Sequence, residues 1–337
     1  MLIVGDGAPG TLNISGGNVI VSGSAGTVVT GNSSGTGTIN FSGGALSAAL
    51  VTNARGNGNA GTVNFTTTTS ATFTPSIGGS VKINQTGIGD TFLTGSSTTT
   101  GATTVNAGTL TINGFIGNSA ATVSGSGVLN GSGTTGNVTV NSGGTLGGSL
   151  SSGTVSGAGM VAPGGSQILT VSMVNPGSGM SYNFHMSQAG EPTYSNSAAS
   201  GNDVLHLTGA TPLVSALTSA STITVDFTGL VLQSGQIYYG GFFTDAAIAN
   251  SMVQNATFSY TGLGGAVVQF EGMTTVASAP FVTGTVSNGE VMQFDVTQGP
   301  PVPAAPPWAL LLAGAGLLIA GSHKVKTLRN TSGAGRG

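Results

Sequence analysis

The sequence predicts an all-β protein: an N-terminal parallel β-solenoid (β-helix), then a β-sandwich-like region, then a single C-terminal transmembrane helix. Three observations lead there. Of the 337 residues, 60 are Gly and only 4% are charged, against roughly a quarter charged in ordinary soluble domains. A short phrase alternating apolar and polar residues recurs through the first half. One long apolar run lies near the C-terminus and is followed by basic residues.

The repeats define the first element, residues 1–165. Gly10-Thr-Leu-Asn-Ile14 returns as Gly37-Thr-Ile-Asn-Phe41, Gly61-Thr-Val-Asn-Phe65 and Gly108-Thr-Leu-Thr-Ile112, with starts 27, 24 and 47 residues apart. The last interval reads as two repeats, with Gly79-Ser-Val-Lys-Ile83 as a displaced copy inside it. A period near 24 is that of a solenoid coil. Alternation puts Leu12 and Ile14 on the core side, and Thr11 and Asn13 outside or stacked on their equivalents in the next coil. The pairs Gly16-Gly17, Gly43-Gly44, Gly78-Gly79 and Gly143-Gly144 supply the corners, where positive φ is needed. Roughly six or seven coils stacked at about 4.8 Å would make a rod on the order of 30 Å long.

The second element, residues 166–299, holds all five Tyr and far fewer Gly: 16 over 166–300, against 38 over 1–165. The boundary is placed at Pro163-Gly164-Gly165. Ser181-Tyr-Asn-Phe-His-Met186, Asp203-Val-Leu-His-Leu207, Ile223-Thr-Val-Asp-Phe227 and Val291-Met-Gln-Phe-Asp-Val296 alternate as strands. Their turn-rich spacing is read as antiparallel, in a sandwich or a broadened end of the solenoid.

The third element is the tail. Residues 300–307 are a Pro-rich, extended spacer. Residues 308–322 form the apolar segment, inside a stretch of 21 residues without a charge (Val302 to Ser322). Trp308 stands where an interfacial aromatic would, and the basic residues 323–337 stand where a cytoplasmic end would. Charge is partitioned accordingly: residues 1–321 hold all nine acids and only Arg55 and Lys82 as bases, while Lys324, Lys326, Arg329 and Arg336 lie in the last 16.

Six basic residues do not suffice to neutralise a nucleic-acid backbone, so no nucleic-acid partner is expected. The absence of Cys excludes disulfides and thiol chemistry. Each remaining candidate has a plainer reading. Gly31-Asn-Ser33-Ser-Gly35 matches the Gly-x-Ser-x-Gly nucleophile elbow without its strand–turn–helix context. His185 and His206, with Asp203 nearby, are read as half-exposed strand histidines, because a zinc site needs three close ligands; His323 is in the tail. Asp6 and Asp90 are read as turn caps, since calcium-binding Gly/Asp loops repeat their Asp. Asp6, Asp90, Arg55 and Lys82 are far apart, which weighs against a polysaccharide-active β-helix enzyme. Thr66-Thr-Thr-Thr69 and Thr98-Thr-Thr100 raise ice or glycan binding, which requires Thr in register on successive coils. Gly314, Gly316 and Ala320 are small residues of the tail, with no dimer implied. No cofactor and no metal is expected.

Two resemblances add to this. The tail, with Val302-Pro303 and Pro306, Leu310-Leu-Leu-Ala-Gly-Ala-Gly-Leu-Leu318, and then Lys324, Lys326 and Arg329, resembles a PEP-CTERM sorting signal. Ala304 and Ala305 stand where that box usually carries Glu and Pro. Asn137-Val-Thr-Val-Asn-Ser-Gly-Gly-Thr-Leu146 with Gly157-Ala-Gly-Met-Val-Ala-Pro-Gly164, then Asn202-Asp-Val-Leu-His-Leu-Thr-Gly209 and Gly235-Gln-Ile-Tyr238, resemble the passenger-type repeats of autotransporters and related bacterial surface proteins. The resemblances imply a non-enzymatic exported surface or matrix protein. It would be tethered at the inner membrane by its helix, handled by an exosortase-type enzyme at Val302, Pro303, Pro306 and Trp308, and then moved to the cell surface or beyond. Extracellular polysaccharide and self-association are the implied contacts. A chain retained permanently by its tail is the competing reading of that segment. Met1-Leu-Ile-Val4 is too short for a signal peptide, and residue 10 already lies in a repeat, so the chain is expected to begin inside the repeats.

Overall fold

The computed structural model describes residues 1–22, 26–54, 61–165, 167–189, 201–245, 248–276, 279–282, 284–286 and 289–300. Residues 1–299 form one compact unit, and 300–337 are assigned to a second.

The chain winds as a stacked series of parallel ladders on three faces. The first face runs Gly10–Ile20, Gly37–Ser47, Thr62–Phe65, Lys82–Gln85, Thr103–Val105, Ala121–Val123, Val138–Val140, Ser151–Gly157, Ile168–Pro176, Val204–Leu207 and Ile237–Thr244, each strand pairing in parallel with the next. The second runs Ala71–Phe73, Asp90–Leu93, Thr109–Ile112, Val128–Gly131, Thr145–Gly147, Met160–Ala162, Ser181–His185, Thr222–Asp226 and Thr257–Thr261. The third begins with Leu2–Asp6, Thr27–Asn32, Leu50–Thr52 and Ser76–Ile77. It continues through Ser96, Phe115–Ile116, Thr134–Thr135 and the start of Ser151–Gly157.

Alternation explains why these strands stack. Ile39, Val63 and Ile83 occupy one register position, and all are fully buried. Leu110, Leu129, Leu146 and Val161 do the same on the second face. They join a single long apolar core, each side chain contributing about 1.5–3 kcal/mol as an upper bound. Phe41, Phe65 and Phe73 pack edge to face at 5.1–6.0 Å. As expected, Ile14 is buried, Leu12 packs against the core, and Gly17, Gly44, Gly79 and Gly143 take positive φ. At Gly44 a Cβ would stand 2.6 Å from the Gly17 carbonyl of the coil below. The corner therefore requires glycine on both counts.

Three expectations are corrected. The copy at residues 108–112 is on the second face, one face on from its relatives: Thr109–Ile112 pairs with Asp90–Leu93. The phrase satisfies any face, and the coils shorten, so the 47-residue interval is not a doubled period. Side chains bonded between neighbouring coils lie 27 residues apart at Asn13 and Asn40 but 17 apart at Thr139 and Ser156.

The second correction concerns residues 166–299. The stack runs on in parallel through Thr257–Thr261, and Pro163-Gly164-Gly165 is a corner between consecutive strands of it. Strand alternation is identical in parallel and antiparallel sheets, so sequence could not separate them. What changes is coil length: Thr208 bonds to Val171, 37 residues back. The antiparallel part is the closing ribbon. Gly289–Gln298 pairs antiparallel with both Ile237–Thr244 and Val267–Val276, and Phe258, Phe270 and Phe294 pack beneath it at 4.6–6.4 Å.

The third correction is to His206, which is buried rather than half-exposed. Both sides of Val204–Leu207 are covered: Leu205 and Leu207 join the main core, while Val204 packs with Phe243 and Val291 in a second cluster. Among the described residues no helix is long and apolar enough to cross a membrane. The expected helix 308–322 lies outside the described residues, as do Val302, Pro303, Pro306, Trp308, His323, Lys324, Lys326, Arg329 and Arg55.

Candidate functional site

The outer surface of the first face is built by the repeat itself. At Asn13, Asn40 and Asn64 the polar fourth position of the Gly-Thr-apolar-Asn-apolar phrase lands on its equivalent one coil away, and Asn84 continues the row. Asn40 Nδ2 donates to Asn13 Oδ1 at 2.8 Å, Asn64 Nδ2 to Asn40 Oδ1 at 2.9 Å, and Asn84 Nδ2 to Asn64 Oδ1 at 2.9 Å. Thr104 Oγ1 closes the ladder on Asn84 Oδ1 at 2.6 Å. Register continues the row through Thr122, Thr139 and Ser156. Such amide ladders stabilise in-register parallel stacks.

Several carboxylates serve the same architecture. Asp203, buried, accepts backbone N–H bonds from Gly164, Gln167 and His185 at 2.9–3.0 Å, locking a corner to two strands. Asp226 Oδ1 accepts from Thr228 Oγ1 (2.6 Å), Thr261 Oγ1 (2.7 Å) and Thr228 N (3.0 Å), and Oδ2 lies 3.5 Å from His185 Nδ1. The Thr228 hydroxyl, then Thr261 and His185, favour the carboxylate over the opposing effect of burial and hold its pKa at about 2. Asp6 accepts from Asn32 Nδ2 at 3.1 Å, and Glu290 from the backbone N–H of Ile248 at 2.7 Å.

The sequence candidates do not converge. His185 is on the second face, whereas His206 is on the first and bonds Asp245 Oδ1 through Nε2 at 2.8 Å. Among the described residues no group of three or more His, Cys, Asp or Glu is placed to hold a metal. Asp6, Asp90 and Lys82 belong to the third, second and first faces respectively. Ser33 has φ of 53°, as the nucleophile of an elbow does, but it lies between two strands, and Ser34 Oγ donates to the Gly7 carbonyl. The motif is a turn. In the Thr runs, Thr67 and Thr99 point inward and are buried, and the runs stand at different corners, so they form no common row.

What sequence reading missed are the concave corners flanking the third face. One groove of about 420 Å³ is lined by Asn113, Asn130, Ser132, Thr145, Ser149 and Gln167, among others. Another of the same size is lined by Phe115, Asn118, Thr134, Asn137, Ser151 and Ser172, among others. No lining residue of either is charged. The available signal was Phe115 itself, an aromatic between Gly114 and Gly117 in a sequence with only 6% aromatic residues. These surfaces are suited to hydrogen bonding with neutral ligands rather than to proton transfer. Comparison with protein families, with curated proteins and with solved structures finds no match to this chain.

Proposed function

We propose that the chain is a non-enzymatic, exported bacterial surface or matrix protein, sorted through its C-terminal segment. The observation that carries the reading is that the outward polar side chains bond to one another from coil to coil, as in the Asn13–Asn40–Asn64–Asn84 ladder, instead of converging on a reacting centre. A sparsely charged rod of this kind supports extension and repeated weak contact, in which many modest interactions add through multivalency. The tail sequence supports the sorting step: Val302, Pro303, Pro306 and Trp308 precede the apolar run, and Lys324, Lys326 and Arg329 follow it. In this reading an exosortase-type enzyme and the inner membrane are the partners of the tail, and extracellular polysaccharide or further copies are partners of the rod.

Fractionation of the native host with mass measurement of the mature C-terminus tests the proposal. A surface or released form ending near Pro303–Trp308 is expected. A chain that stays in the inner membrane and keeps Arg329 contradicts sorting and makes the tail a permanent anchor.

A further inference from the structure

On the third face the outward register row reads Ser96, Phe115, Thr134, Ser151 and Thr170 on successive coils. Phe115 is thus one aromatic ring in a row of hydroxyls, and it is 36% exposed. Its ring lies across Gly117, where a Cβ would come within 2.4 Å of Phe115 Cζ. The ring therefore lies along the surface, at the mouth of the uncharged groove it shares with Asn118, Asn137, Ser151 and Ser172.

The polar groups around it are held in place. Asn137 Oδ1 accepts the Thr154 backbone N–H at 2.9 Å, so the amide nitrogen is the group Asn137 offers. Ser119 is fixed by Thr103 Oγ1 at 2.8 Å and by the Gly101 carbonyl at 2.7 Å. Thr135 and Ser152 alternate inward, in register with the core residues Ile116 and Val171, and leave Thr134 and Ser151 on the outer side.

We infer that this groove is a binding site for an uncharged polysaccharide chain, with one hexose stacked on Phe115 and its hydroxyls bonded to Asn118, Asn137 and Ser151. The slightly positive C–H face of a hexose complements the negative face of the ring. Amides and hydroxyls supply both donors and acceptors to its alcohol groups. The absence of charge in the lining selects against uronates and sulfated chains, which would lose hydration without gaining a counter-charge. The groove crosses four coils, about 14 Å at 4.8 Å per step, so it takes a short run of sugars. The inference deepens the proposed matrix role and rests on it for the biological source of the ligand.

Affinity electrophoresis of the full chain in detergent tests the site, with soluble mixed-linkage β-glucan, dextran and alginate as probes. The wild type should be retarded by at least one neutral glucan and not by alginate. Phe115→Ala should weaken retardation roughly tenfold, about 1.4 kcal/mol, and Phe115→Trp should preserve it. Gly117→Ala keeps the ring but displaces it, and should weaken binding comparably. Unchanged thermal transitions in the variants would separate binding from folding. Equal retardation of wild type and Phe115→Ala, retardation by alginate alone, or no retardation by either glucan overturns the inference. Fractionation reads the sorting proposal separately, so a surface-located chain that ignores glucans rejects the groove alone.

Discussion

Asp203 is 1% exposed, and its two oxygens receive backbone N–H bonds from Gly164, Gln167 and His185. A carboxylate used this way ties the glycine corner at 164–165 to strands of two faces. Removing it leaves three partly buried backbone donors without their acceptor, at about 1–3 kcal/mol each. Asp203→Ala should therefore lower stability by about 3 kcal/mol or more, and Asp203→Asn, which keeps one carbonyl acceptor, by less. Thermal or urea unfolding of the two variants reads this, and a change within error for Asp203→Ala would contradict the clamp. In the sequence the residue stood out as the head of the Asp203–Leu207 strand phrase and the neighbour of a strand histidine, not as a clamp. Its partners lie up to 39 residues away, and nothing local announces them.

At the scale of the element, the asparagine ladder shows what a repeat can and cannot declare. The phrase Gly-Thr-apolar-Asn-apolar identified the strands, their inward apolar positions such as Ile14, and Asn13 as a residue either facing out or stacked on its equivalent, of which the structure shows the stack. It did not identify which face a copy occupies, because the same alternation serves all three; hence the copy at 108–112 on the second face. It also did not distinguish parallel from antiparallel pairing beyond residue 165, because that distinction depends on connections between strands rather than on their pattern. The corner grooves were illegible for a related reason: they are made by residues from successive coils, each unremarkable in its own segment. Asn64 sits mid-ladder, donating to Asn40 and accepting from Asn84. Asn64→Ala removes both bonds and should cost about 1–3 kcal/mol, at roughly 0.5–1.5 each. Asn64→Thr should cost less, since Thr104 already serves as a hydroxyl member of the ladder. Urea midpoints should move with the slope unchanged; equal stability of all three proteins would show that the ladder contributes nothing.

For the unit spanning residues 1–299, the central claim is continuity: one parallel stack runs from Leu2–Asp6 to Thr257–Thr261 and is closed by the ribbon of Val267–Val276 and Gly289–Gln298. The sparsely charged faces, the grooves and the reading as an extended matrix protein all depend on it. Because the chain has no Cys, single cysteines can be placed without background. The outward row Thr111, Asn130, Gly147, Ala162, Asn183, Thr224 and Ser259 follows from the register of the second face. The most direct measurement is the pulsed-EPR distance between spin labels at Thr111→Cys and Thr224→Cys, repeated with the second label at Ser259→Cys. A continuous stack predicts a narrow distribution near 24 Å for the first pair and about 5 Å more for the second, five and six steps of roughly 4.8 Å. A broad distribution, or a distance that fails to lengthen on moving to Ser259, would mean that the residues beyond 165 form a separate body, and would contradict the account.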